Sequence, residues 1–143
     1  MKDVEADVRA AALVSLKDFL RMISPEKVNT ILLPIIATLS TDMSPHVRSG
    51  LPMLIVEIVK CIGKEQYNSK LANIIIECMK DENADVKQNF VQCIGPLVTT
   101  VGTEIFTQQM LTSLTNLVKD NQWRIRLAVI EQIGSVATQF VSK

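Results

Sequence analysis

Apolar residues recur along this chain at three- and four-residue steps, in blocks long enough to be helices. Over residues 4 to 23, Val8, Ala12, Leu16, Phe19, Leu20 and Ile23 form one stripe, and Arg9, Lys17, Asp18 and Arg21 lie opposite. Ser24 and Pro25 then read as an N-cap and a first-turn proline. They open a second helix to about Ser40, with Val28, Leu32, Ile35, Ile36 and Leu39 inward and a bend at Pro34. A third, about 45 to 62, carries Val47, Leu51, Leu54, Ile55, Ile58, Val59 and Ile62. Pro52 should bend it, and Gly63 should close it as a left-handed cap. Tyr67, Leu71, Ile74, Ile75 and Cys78 mark a fourth helix over about 65 to 80. Val86, Phe90, Ile94, Leu97, Val98 and Val101 mark a fifth over 84 to 101, with Pro96 inside it and Gly102 after it. Phe106, Met110, Leu114 and Leu117 begin a sixth, and Trp123 to about Phe140 forms a seventh. No run sustains two-residue alternation, so no strand is predicted.

The blocks repeat. Val8, Val47, Val86 and Ile125 stand 39 residues apart, as do the bases Arg9, Arg48, Lys87 and Arg126 and the acids Asp3, Asp42, Asp81 and Asp120. A coincidence across all three sets is implausible, so the chain is a repeat array. Its order is one unpaired helix (1–23), the second half of a truncated unit, followed by three antiparallel helix pairs (24–63, 64–102 and 103–143). All belong to a single solenoid over 1–143. Two-helix units of this length, with an aspartate turn leading into Val-Arg, resemble HEAT repeats. That resemblance implies an all-α, right-handed α-α superhelix with a ridge of intra-repeat turns. Beginning halfway through a unit suggests a piece of a longer array, with apolar surface at both ends and a tendency to self-associate end to end. The recurrent acids and bases read as a structural ladder of Asp3, Asp42, Asp81, Arg9, Arg48, Lys87 and Arg126. Each carboxylate accepts from free backbone N–H groups or pairs with the base six residues on. Catalysis is a poor reading of a feature present in every unit, because an active site is assembled once.

Composition narrows the function. Apolar residues are 48% of the chain but aromatic ones only 4%, so aliphatic packing must dominate. Fifteen Lys and Arg balance fifteen Asp and Glu, which removes the electrostatic case for nucleic acid or an anionic membrane and favours a protein partner. No apolar run approaches the roughly 20 residues of a spanning helix, and Met1, Lys2, Asp3, Val4, Glu5 are too polar for a signal peptide. Cys61, Cys78 and Cys93 are odd in number and lack CxxC spacing, which points away from disulfides and zinc and towards a reducing cytoplasm or nucleus. They read as small buried apolar side chains. His46 is the sole histidine, sits in a turn and has no supporting motif. The glycines form no phosphate-binding spacing. The expectation is a protein without enzymatic activity or cofactor.

One turn departs from the rest. The positions of Ala6, Pro45 and Ala84 are taken by Trp123, and those of Asp7, His46 and Asp85 by Arg124. Trp and Arg are enriched at binding hot spots, although a turn tryptophan also packs onto its own helices. The run Trp123, Arg124, Ile125, Arg126, Leu127, Ala128, Val129, Ile130, Glu131 resembles the structural A-subunit family of protein phosphatase 2A, scaffolds of fifteen HEAT repeats. The segments Glu5 to Ala12 and His46 to Ser49 are similar to that family as well. The resemblance spans the chain and implies a middle portion, from the end of the eighth repeat through the eleventh. In that family N-terminal repeats hold variable B-type regulatory subunits and C-terminal repeats hold the catalytic subunit. It implies that Asp120, Asn121, Gln122, Trp123 and Arg124 form the near edge of the catalytic-subunit site, the metals and phosphoester chemistry residing in that partner. Competing readings are a HEAT adaptor for tubulin, which should show basic residues in successive turns where Asp7 and Asp85 stand, or for transport cargo, which should show strongly acidic inner helices.

Overall fold

The structure, a computed structural model, describes residues 5–67 and 69–141, and these are helical with short turns. Asp3 lies outside the described residues. Helix α1 (Ala6–Phe19) runs into a 3-10 turn at Leu20–Met22. The next helix comes in pieces: α2 (Pro25–Lys27), a wide π-type turn at Val28–Leu32, and α3 (Leu33–Leu39). Then follow α4 (Pro45–Gln66), α5 (Ser69–Met79), α6 (Ala84–Gln92) and α7 (Ile94–Val101). After them come α8 (Thr103–Gln109), α9 (Leu111–Leu117) and α10 (Trp123–Val141).

Two of the interruptions follow prolines, whereas the one at Met110 between α8 and α9 does not. A helical proline donates no hydrogen bond and crowds the carbonyl four residues back. For Pro34 that carbonyl belongs to Thr30, inside the wide turn that absorbs the misfit. For Pro96 it belongs to Gln92, where α6 stops and Cys93 (φ −84°, ψ −5°) separates it from α7. The single helix expected over 84 to 101 is therefore two. At Pro52 the helix continues without interruption. Gly63 ends the regular part of α4 at φ 72°, ψ 173°, and Gly102 follows α7 at φ 93°, ψ 156°. Both have the positive φ expected of a cap, but the extended ψ is not left-handed helical, which corrects the αL assignment at Gly63. This is a backbone region open to glycine alone.

Helices α1, α4, α6 with α7, and α10 pack side by side in that order, while α2 and α3 lie against α4, α5 against α6, and α9 against α10. One continuous core fills the space between the two rows. Val47, Val86 and Ile125 are fully buried in it, as are Leu51, Phe90 and Val129 in the same relative place. Each contributes roughly 1.5–3 kcal/mol by leaving water. The α1 stripe requires a correction: Val8 is 50% and Phe19 53% exposed, and Leu13 and Leu20 are the buried residues. Val8 and Phe19 face the side where α4, α6 and α10 each receive a helix of the other row, and among the described residues none covers α1 there.

Candidate protein-interaction site

Three turns lead into the second-row helices, and one carboxylate organises each. Asp42 Oδ1 accepts from the Ser44 N–H at 2.9 Å, Asp81 Oδ1 from Asn83 at 2.8 Å and Asp120 Oδ1 from Gln122 at 2.9 Å. A short acceptor two residues before the donor closes such a turn locally. Asn83 also caps α6, accepting from the N–H groups of Asp85 and Val86. The same carboxylates reach the neighbouring unit. Arg9 grips Asp42 with Nε and Nη2 at 2.8 and 3.0 Å, and Arg48 grips Asp81 at 2.7 and 3.1 Å. Lys87 meets Asp120 with a single bond of 2.6 Å.

The carboxylate partner is thus the base 33 residues before it. Where the base six residues after it is an arginine, it binds the turn's backbone instead: Arg48 Nη1 donates to the Asp42 carbonyl at 2.6 Å and Arg126 Nη1 to that of Asp120 at 2.7 Å. The six-on carboxylate pairing offered by spacing alone does not form, because the guanidinium leans towards the next unit's acid. Hydrogen bonding from Arg9 holds the Asp42 carboxyl below its ordinary pKa. For Asp81 and Asp120 burial pushes upward, but Arg48 or Lys87, with the backbone N–H, outweighs it and the net direction is down.

The fourth-unit turn has a different surface. Asn121, Gln122, Trp123 and Arg124 are exposed and Asp120 is half-buried. Trp123 is 62% exposed, whereas Ala6 and Ala84 are partly covered in the same relative place and Pro45, also exposed there, is a smaller side chain. The Arg124 guanidinium lies 5.8 Å from the Trp123 ring centroid, a cation–π distance that holds both side chains at the surface. Beside them runs a groove of about 260 Å³ lined by Gln88, Trp123, Arg124, Leu127, Ala128 and Glu131. Of these, Gln88, Leu127, Ala128 and Glu131 are not among the binding residues expected from sequence. Trp123, Leu127 and Glu131 are four apart and share one face of α10, which was the available signal.

Other reactive groups lie elsewhere. Burial pushes the Cys78 thiol up to about 12 and that of Cys93 up to about 11, so both stay protonated and poorly nucleophilic. Cys61 is half-buried with its thiol near the Leu20 carbonyl. Among the described residues no cluster of His, Cys, Asp and Glu could hold a metal, and no helix is long and apolar enough to cross a membrane.

Stacked helices with aspartate-organised turns and an exposed Trp-Arg ridge define a helical-repeat protein-interaction domain. The chain belongs to the family described as dynein axonemal assembly factor 5-like, TPR repeats, whose model matches residues 1–143. No curated protein matches the chain.

Proposed function

We propose that the chain is a non-catalytic scaffold of HEAT type, forming a right-handed superhelix that holds protein partners through its intra-repeat turns. The 39-residue step of the acids and bases favours HEAT units over the 34-residue step of tetratricopeptide units. The partners proposed are those of the protein phosphatase 2A holoenzyme, its catalytic subunit and its B-type regulatory subunits, with Asp120 to Arg124 meeting the catalytic subunit. The observation that carries this reading is the exposed Trp123 with Arg124 against its ring, beside a groove. A large aromatic side chain left in water at a turn has surface to lose on binding, and desolvating it together with an arginine is how hot spots gain their energy. Of the remaining members, Asp42, Asp81, Arg9, Arg48 and Lys87 hold the units in register through their ion pairs, and Arg126 braces its own turn. A second reading follows from the family's description: a client-binding role in assembling axonemal dynein.

Capture separates the two. The chain, and Trp123→Ala and Arg124→Ala variants matched in helicity, would be immobilised and offered the phosphatase catalytic subunit or axonemal dynein. The proposal expects catalytic-subunit capture that weakens about thirtyfold for Trp123→Ala, the order of a 2 kcal/mol hot spot. Capture of dynein chain alone selects the second reading. Undiminished capture by both variants removes the fourth-unit turn from the site.

A further inference from the structure

Two grooves lined only by second-row residues meet over α4, on the face of that row turned away from α2, α3, α5 and α9. One, of about 300 Å³, lies between α4 and the break that separates α6 from α7, with Pro52, Val56, Cys93 and Pro96 as apolar walls and Met53 at the rim. The other, of about 230 Å³, lies between the end of α1 and α4, and its lining sets Lys17, Arg21, Lys60 and Glu57 around Leu20 and Cys61. Glu57 and Lys60 line both, so the two form one trough across the row.

The apolar end is open for a local reason. One unit further along, Gln132 reaches across to the Gly95 N–H at 3.1 Å and occupies the corresponding space. Its counterpart 39 residues earlier is Cys93, and that of Gly95 is Val56. A thiol is too short to cross, and a valine inside the continuous helix α4 offers no free N–H, so nothing bridges the gap there. Met53 beside it is 53% exposed, a flexible thioether that moulds to an entering apolar side chain. The basic end keeps charge in reserve. Lys60 pairs with Glu57 at 3.1 Å, while Lys17 and Arg21 have no acidic partner among the described residues. Three bases against one acid make this end positive in a chain whose net charge is zero, and carboxylates are what it attracts.

We infer that this trough binds an extended acidic segment of a partner protein, with one apolar side chain entering beside Met53 and carboxylates meeting Lys17 and Arg21. Neighbouring helix axes lie about 10 Å apart and an extended chain advances about 3.3 Å per residue, so the apolar residue and the first carboxylate stand about three positions apart. Gln92, exposed on the rim, supplies an amide to the segment's backbone. The trough shares no residue with the groove beside Trp123 and stands independently of what the turn ridge holds.

Fluorescence anisotropy of labelled peptides titrated with the chain tests this. The probes are Leu-Ser-Gly-Glu-Glu-Gly and its reversed sequence; the controls replace Leu by Gly, replace both Glu by Lys, or offer oligo-dT. The wild type is expected to bind one of the two acidic orders about tenfold tighter than any control, the order of a single charge-assisted hydrogen bond. The double variant Lys17→Glu, Arg21→Glu should lose that preference and favour the Lys peptide instead, a reversal that misfolding does not produce. Met53→Glu should abolish the advantage of Leu over Gly. Arg21 and Met53 are exposed and Lys17 is half-buried with its charge at the groove, so folding is retained and circular dichroism checks it. A wild type that binds neither acidic order, one that binds the Gly control or oligo-dT as tightly, or variants that bind like the wild type would each overturn the proposal.

Discussion

At the residue scale, one aspartate per unit serves two purposes that elsewhere fall to separate groups: it closes its own turn and anchors the preceding unit. The charged atoms are largely withdrawn from water, with 16% and 9% of the side-chain surface of Arg48 and Asp81 exposed. Removing one partner of such a pair strands the other, so Asp81→Ala should cost about 3 kcal/mol. The exposed pairs Lys60–Glu57 and Lys80–Glu77 should contribute less than about 0.5 kcal/mol each. Chemical denaturation of Asp81→Ala and Glu77→Ala would establish the contrast, and equal losses would contradict it. The three aspartates titrate lower folded than unfolded, so their stabilisation is complete above the unfolded value of about 4 and disappears as pH falls through the lower folded values. Wild-type stability should therefore drop steeply below about pH 4, and the drop should be shallower in Asp81→Asn. Parallel pH curves for the two proteins would refute the assignment.

At the scale of elements, Lys87 is the weak member of the series. Arg9 and Arg48 each make two bonds to their aspartate, and Arg48 a third to its own turn, while an ammonium is a point donor that makes one. Lys87→Arg should raise stability by about 1 kcal/mol, read as a higher melting temperature. Unchanged or lower melting would mean that the turn at Asp81 cannot receive the fork. How much of this was legible beforehand differs by feature. Helix positions and the burial of Val47, Leu51, Val86 and Phe90 followed from periodicity, because burial on both sides leaves a strong apolar signature. The α1 stripe misled at Val8 and Phe19, since a stripe records where a residue can pack and not whether a helix lies there. The carboxylate's partner was hidden because spacing along the chain says nothing of whether the base six residues on or the one 33 residues before leans towards it. Trp123 stood out as a break in the pattern, but its groove mates Gln88 and Glu131 are ordinary surface residues in sequence.

At the scale of the whole molecule, stability is a sum over neighbours, and the terminal helix has fewer of them. Helix α1 packs chiefly on α4, whereas α6 lies between α4 and α10 and also meets α5. Native-state hydrogen exchange should therefore be fastest through α1 and slowest through α6, and equal protection along the row would argue for all-or-none opening. The charged grips all sit at one end of the helices, beside the aspartate turns. The far ends are joined, among the described residues, by neutral hydrogen bonds such as Asn29 to Gln66 and Thr99 to Gln139. A row fastened along one margin behaves like the pages of a book. Its spine keeps its spacing while the free edges fan apart or close, so strain applied by anything seated on the ridge is expressed as curvature and not as stretch.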